Sequence, residues 1–158
     1  MSVVVSKRNE SRLEAIVYSL ELHDQLITLM QRSFGVKDID QLVRVRYATG
    51  QDNKEDFETY RYLMHTAKQR ISTIASLLTN NVRAANSIYP TSLVEYERRR
   101  EYQTTAIVNC EQLLNELQRV VDIFNVDVNV YRPCILAIDK EIRLIKKWRQ
   151  RDNRLKNI

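Results

Sequence analysis

Apolar residues recur at alternating spacings of three and four along four long stretches of the chain, which is the pattern of amphipathic α-helices. The first stretch predicts a helix over residues 11–34. Gly35 can adopt the left-handed conformation that ends a helix, and Asp38 is placed to cap a short extra helix before a loop at 49–53. The predicted buried stripe of the first helix is Leu13, Ile16, Leu20, His23, Ile27, Met30 and Phe34.

A second group of apolar side chains on the first helix lies beside this stripe. Tyr18, Leu22, Leu26 and Leu29 widen the apolar arc beyond what one monomeric bundle needs. We therefore expect this face to support self-association.

Three further helices are predicted over residues 56–89, 92–124 and 128–154. Pro90 ends the second, because proline disfavours helical geometry in the residue before it. Ser92 and Glu95 form a capping-box pattern at the start of the third. Pro133 is tolerated if the fourth helix begins near residue 129, and it introduces a kink if the helix begins at 127. The three predicted stripes are Phe57, Tyr60, Met64, Ala67, Ile71, Ile74, Leu78, Asn81, Ala85 and Ile88; Tyr96, Arg100, Gln103, Ile107, Cys110, Leu114, Leu117, Val121 and Phe124; and Tyr131, Ile135, Ile138, Ile142 and Ile145.

These helices predict an all-α fold: an antiparallel up-down four-helix bundle with an extra short helix between helices 1 and 2. The bundle is expected to span residues 11–155 after a flexible N-terminal tail at 1–10. The chain has only 2 Gly and 2 Pro, too few for the turns of a β-sandwich or barrel. No apolar stretch approaches the ~20 residues of a membrane span, and no signal-peptide pattern is present. We therefore expect a cytoplasmic protein without a membrane partner.

Few residues suit catalysis, metal binding or a cofactor. Cys110 and Cys134 lie in apolar helical patterns, where buried free thiols are expected. His23 lies on the apolar stripe without the carboxylate three residues earlier that a di-iron bundle requires, so we expect a structural histidine and no metal. Arg61 and His65 are the pair on which a helical ribonuclease would depend, a less favoured alternative. We expect no catalytic residue and no cofactor.

The net charge of +5 is concentrated at the end of the chain. Residues 139–158 hold eight Lys/Arg against three Asp/Glu, whereas residues 1–138 are balanced. Such asymmetry indicates a polyanionic partner, and several of these cations recur at spacings of three or four, on one helix face. Trp148 lies beside them and could stack on a base; the alternative is a solubilising face with Trp148 in the core or at an interface. The predicted nucleic-acid or partner-binding residues are Lys140, Arg143, Lys146, Lys147, Trp148, Arg149, Arg151 and Arg154, with Arg99 and Arg100 from the third helix.

The basic run at residues 98–100 is bracketed by Glu95, Glu97 and Glu101. Such a segment is usually a solvated helix face. Arg100, however, falls on the predicted stripe, so it must lie at a helix end, at a subunit interface, or with its stem extended toward solvent.

Segments along nearly the whole chain carry a resemblance to known proteins. They are Ser6-Lys7-Arg8 with Glu10 and Ser11; Ala85-Asn86-Ser87-Ile88-Tyr89-Pro90; Tyr96, Arg99, Gln103, Asn109, Cys110 and Leu114; and Ile138-Asp139-Lys140-Glu141-Ile142 with Lys146, Trp148, Arg149 and Asp152. In these segments the chain resembles the accessory variability determinants, four-helix-bundle proteins encoded beside reverse transcriptases in bacterial diversity-generating retroelements. That family is related to the bundle proteins of ribosomal RNA intervening sequences.

The resemblance implies a non-enzymatic, basic bundle that assembles as a homopentamer. It further implies that the chain binds a reverse transcriptase and RNA or DNA, and supports mutagenic complementary-DNA synthesis. The segment 36–55 departs from the family pattern as an insertion. The alternative function is a helical scaffold of a mobile element without a nucleic-acid role.

Overall fold

The computed structural model describes residues 2–35, 54–124 and 126–156, with side chains described for 14–35, 58–124 and 126–156. Four α-helices form the described part: α1 (Ser2–Gln31), α2 (Lys54–Ser87), α3 (Leu93–Phe124) and α4 (Arg132–Asp152). The predicted all-α bundle is confirmed. The predicted short helix after Asp38 and the loop at 49–53 lie outside the described residues.

The helices pack in a ring in which each contacts its neighbours in sequence. α1 packs against α2 and α4, and α3 packs against the same two helices. At 1.5 Å per residue, the 34 residues of α2 and the 32 residues of α3 make a central hairpin roughly 50 Å long. One end of the bundle carries the α2–α3 turn and the C-terminus of α4; the opposite end carries the C-terminus of α1 and the start of α4.

α1 differs from its prediction in extent and in the face that it buries. It begins at Ser2, so residues 2–10, assigned to a tail, are helical. Its buried side chains are Ala15, Ser19, Leu22, Leu26, Leu29, Met30 and Phe34, whereas Leu20 and Ile27 of the predicted stripe are exposed. The expectation that Leu22, Leu26 and Leu29 serve self-association is therefore wrong, because these leucines fill the core of a single chain.

The end of α1 is fixed by consecutive residues in the left-handed region. Ser33, Phe34 and Gly35 have φ of 47°, 56° and 74°, and Gly35 confirms the predicted helix stop. This reversal turns the Phe34 ring into the core, where it stacks on Tyr131 with 6.5 Å between ring centroids. The Tyr131 hydroxyl donates to the Phe34 carbonyl at 2.6 Å. The contact joins the end of α1 to the residue before α4.

The predicted capping residues of α3 and the predicted proline of α4 lie at the helix starts, but Glu95 has a different hydrogen-bond partner from the one expected. The Ser92 hydroxyl accepts from the Glu95 N–H at 3.3 Å. The Glu95 carboxylate accepts from the Thr91 N–H and hydroxyl rather than from the Ser92 N–H of a standard capping box. Pro133 lies in the first turn of α4, which begins at Arg132 after a short 3₁₀ turn. Proline needs no intrahelical N–H partner there.

The stripes of α2, α3 and α4 agree with their predictions to within one position. In α2 the buried side chains shift from Ile74 and Asn81 to Ala75 and Val82. In α3 they shift from Arg100, Leu114 and Val121 to Arg99, Leu113 and Val120. In α4, Tyr131, Ile138 and Ile145 are buried as predicted, and Cys134, Glu141, Trp148 and Asp152 join them. Both cysteines are buried and free, as predicted.

Candidate nucleic-acid interface on α4

The outer face of α4 and the turn that follows it carry a row of exposed cations. Lys140, Arg143, Lys147, Arg151 and Arg154 recur at spacings of three and four, and all five side chains are exposed. Lys146 is exposed beside the row. At 1.5 Å per residue the row is roughly 20 Å long. We refer to these six residues as the α4 cationic face.

The acidic residues of the same segment contribute little to this surface. Glu141 is 0% and Asp152 is 5% exposed, which leaves Asp139 as the exposed acid among residues 139–156. The sequence count of eight cations against three acids therefore understates how positive the surface is. Most cations of this basic segment are exposed, whereas two of its three acids are buried.

None of the six cations forms an ion pair with a described carboxylate. The ion pairs among the described side chains are Arg70–Glu116, Arg99–Asp152 and Arg119–Glu116. The Lys140 ammonium lies 4.2 Å from the centre of the Tyr18 ring, a cation–π contact with α1. Arg149, also predicted for this site, is half-buried and donates to the Thr104 hydroxyl at 3.2 Å. Arg149 therefore faces α3 rather than the row.

Two residues predicted to bind nucleic acid or a partner, Arg99 and Trp148, are buried, so their assignment to a binding surface is corrected. Arg99 is 1% and Trp148 is 2% exposed, and the guanidinium of Arg99 lies 5.1 Å from the centre of the Trp148 ring. Side chains this deeply buried present no surface to a phosphate or a base. The alternative placement of Trp148 in the core is confirmed. The Trp148 indole N–H is buried, and no residue that the structure describes accepts a hydrogen bond from it.

Arg99 is the centre of a buried polar cluster that joins three helices. Its guanidinium donates to both oxygens of Asp152, from Nε at 2.7 Å and from Nη2 at 3.0 Å, in a bidentate pair. Its Nη1 donates to the Ile88 carbonyl at the end of α2 at 2.9 Å. The Gln103 amide also donates to Asp152, at 2.9 Å. The cluster fixes the α2–α3 turn against the C-terminus of α4.

Arg100 lies at the edge of the same cluster. Its Nη1 donates to the Asn153 side-chain oxygen at 2.9 Å and to the Tyr96 hydroxyl at 3.3 Å, and Tyr96 itself donates to Asn153 at 3.2 Å. The side chain is half-buried, near the start of α3. Arg100 lies about two turns into α3 rather than at the helix end, and its guanidinium is engaged within the chain by Tyr96 and Asn153.

Farther into the bundle, α4 buries a carboxyl group at a position that the apolar stripe did not predict. Glu141 is fully buried, and neither of its side-chain oxygens has a hydrogen-bond partner among the described residues. Burial raises the pKa of Glu141 to about 8, and the charge of Glu14 on α1 adds to the rise. The pKa of the Cys110 thiol on α3 is raised well above its usual range by burial, and then by Glu141 and Glu111. A protonated Glu141 is thus favoured at neutral pH.

The residues considered for catalysis lie on α1 and α2. His65 and Arg61 are exposed on α2, and His23 is half-buried on α1. Among the described residues, no group of three His, Cys, Asp or Glu could hold a metal ion. A surface depression of about 530 Å³ lies between α2 and α3, lined by Ile74, Gln112, Asn115, Glu116, Gln118 and Arg119. It contains no histidine or cysteine and lies away from the α4 cationic face.

Comparison with known proteins identifies no relative of this chain. No protein-family model, curated protein or solved structure matches the chain. Within the part of the chain that the structure describes, none of the helices combines the length and apolar character needed to cross a bilayer.

Proposed function

We propose that this chain is a non-enzymatic accessory protein that oligomerises and binds nucleic acid through the α4 cationic face. The observation that carries the proposal is the arrangement of charge on α4. Six cations are exposed without an ion pair to a described residue, while Glu141 and Asp152 of the same segment are buried. A row of cations of this length suits successive phosphates of a nucleic-acid backbone.

The more specific part of the proposal, a reverse transcriptase partner in a diversity-generating retroelement, is supported by the sequence resemblance alone. Support for mutagenic complementary-DNA synthesis and a homopentameric assembly belong to the same part. The charge of α4 suits this role, because a reverse transcriptase works on RNA and complementary DNA. Co-purification of a reverse transcriptase encoded beside this gene tests it.

The proposed nucleic-acid contact is tested by reversing charge on the α4 cationic face. Arg143→Glu/Lys147→Glu should abolish binding of RNA and DNA for all sequences alike, because phosphate contacts carry no base information. For the wild type, the logarithm of the affinity should fall linearly with the logarithm of the salt concentration. Each single-strand phosphate contact adds about 0.7 to that slope, and each duplex contact about 0.9.

A control of equal charge change separates a local site from general attraction. Arg32→Glu/Arg83→Glu also reverses two exposed cations, but Arg32 lies in the turn after α1 and Arg83 lies on α2. The control should bind like the wild type, and both variants should keep their helicity, because exposed charges contribute little to folding. Equal affinity of the α4 variant and the wild type, or an affinity independent of salt, contradicts the proposal and favours the scaffold alternative.

A further inference from the structure

The end of the bundle next to the α4 cationic face carries an exposed aromatic side chain. Tyr89 lies in the α2–α3 turn and is 71% exposed. Leu93 and Val94, in the first turn of α3, are 46% and 73% exposed. Trp148, the aromatic residue expected to stack on bases, is buried under this turn and contacts Arg99. Tyr89 thus offers solvent the aromatic surface that Trp148 does not.

The turn that holds Tyr89 is firmly positioned relative to α4. The carbonyl of Ile88, the residue before Tyr89, accepts a hydrogen bond from the Arg99 guanidinium. The same guanidinium donates two hydrogen bonds to Asp152 of α4. The residue after Tyr89 is Pro90, which is buried and restricts the backbone of Tyr89. An exposed ring on a restrained backbone loses little conformational freedom when a ligand stacks on it.

The charges around this end also favour a polyanion. Arg151 and Arg154 flank Asp152 in sequence, are exposed, and continue the row of cations to the end of α4. The acids in the first turns of α3 are Glu95, whose carboxylate accepts two hydrogen bonds from Thr91, and the exposed Glu97. Cations that hold phosphates next to an exposed aromatic ring are the combination that binds single-stranded nucleic acid.

We propose that Tyr89 stacks on a base of a single-stranded nucleic acid whose phosphates lie along the α4 cationic face. This inference rests on the proposed function and deepens it, because it specifies single strands as the ligand. In a duplex the bases are stacked and paired, so their faces are closed to an aromatic side chain. A single strand can turn a base out onto the ring while its backbone stays on the cations.

The test compares a single-stranded oligonucleotide with a duplex of the same length, by fluorescence anisotropy. Tyr89→Ala should weaken binding of the single strand roughly 5- to 150-fold, the range that corresponds to the loss of one stacked base. Duplex binding and the salt slope should not change, because no phosphate contact is removed. Tyr89→Phe should bind like the wild type, since the ring is retained.

Tyr62→Ala is the matched control, because Tyr62 is 67% exposed on α2 and belongs to no basic surface described above. It should bind both ligands like the wild type. If the wild type binds neither ligand, the proposed function fails and this inference fails with it. If the wild type binds both and Tyr89→Ala does not weaken the single strand, the stacking inference alone is overturned. A changed mass of Tyr89→Ala in light scattering would make the turn a contact between copies and would also overturn it.

Discussion

Glu141 is a fully buried carboxyl group that forms no hydrogen bond with any described residue, and it makes the stability of the bundle depend on pH. The titratable groups that face it are Glu14 from α1 and Cys110 from α3. Neither supplies a positive charge, and Lys140, the neighbouring cation on α4, points to Tyr18 instead. Ionised Glu141 is therefore costly in the folded state, and the neutral acid is the form that the core accommodates.

The sign of the effect follows from proton binding. In the folded chain the pKa of Glu141 is about 8, against an ordinary value of 4.5. Between these values the folded state binds more protons than the unfolded state, so the free energy of unfolding falls as pH rises from about 4.5 to 8. The slope from this one group is at most about 1.4 kcal/mol per pH unit. Below and above that window it contributes no slope.

We predict that Glu141→Gln removes this decline. Glutamine has nearly the same shape and cannot ionise, so its advantage over the wild type should grow as pH rises toward 8. Urea unfolding at several pH values measures the difference, and Glu14→Gln, an exposed change, should keep most of the wild-type decline. A wild type whose stability relative to Glu141→Gln is constant from pH 5 to 8 would show that Glu141 does not carry a raised pKa.

At the same scale, the sequence located the buried arginine one residue away from its true position. The stripe of α3 predicted Arg100 at a core position, and the structure buries Arg99. The two patterns Tyr96-Arg100-Gln103 and Tyr96-Arg99-Gln103 are both spaced by three and four, so periodicity cannot choose between them. The choice depends on Asp152, 53 residues later, which pairs with Arg99. A long-range partner of this kind leaves no local signal in the sequence.

At the scale of the elements, the faces of α2, α3 and α4 could be predicted and the face of α1 could not. α1 has apolar side chains on its outer side as well, at Val17, Leu20 and Ile27, which are 44%, 37% and 38% exposed. Its core face includes Ser19, and this buried hydroxyl is satisfied because it donates to the Ile16 carbonyl at 2.7 Å. When a helix has apolar residues on both sides and a serine on the buried side, the spacing of its apolar residues does not show which face is buried.

The Arg99–Asp152 pair joins α3 to α4, and we predict that its two halves depend on each other. Asp152→Ala leaves a buried arginine without its carboxylate and should cost about 3–5 kcal/mol of unfolding free energy. Arg99→Met/Asp152→Leu removes both charges and should cost less than Asp152→Ala alone. Urea unfolding measures each value. Arg70→Ala is the control, because the 4.0 Å Arg70–Glu116 pair is half exposed and should cost less than about 1 kcal/mol. An Asp152→Ala cost no larger than that of Arg70→Ala would contradict a structural role for the pair.

At the scale of the whole molecule, adjacent helices present different surfaces. α4 exposes cations that form no ion pair with a described carboxylate, and α1, which packs beside it, exposes Val17, Leu20 and Ile27. If copies associate through α1, each copy repeats the α4 cationic face, and weak phosphate contacts then add through effective concentration. The proposed self-association and the proposed nucleic-acid binding should be separable by substitution, because we assign them to different helices.

The last prediction is that the chain self-associates and that the outer face of α1 is responsible. Light scattering at micromolar concentration should give a closed oligomer, five copies by the resemblance, rather than a monomer of 18.7 kDa. Leu20→Glu/Ile27→Glu should lower the mass toward that of the monomer, because two charges would have to be buried at each contact. The control, Leu77→Glu/Val108→Glu, introduces the same charges at positions of similar exposure on α2 and α3 and should leave the mass unchanged. A monomeric wild type would refute self-association itself, whereas equal dissociation of both variants would refute the assignment to α1.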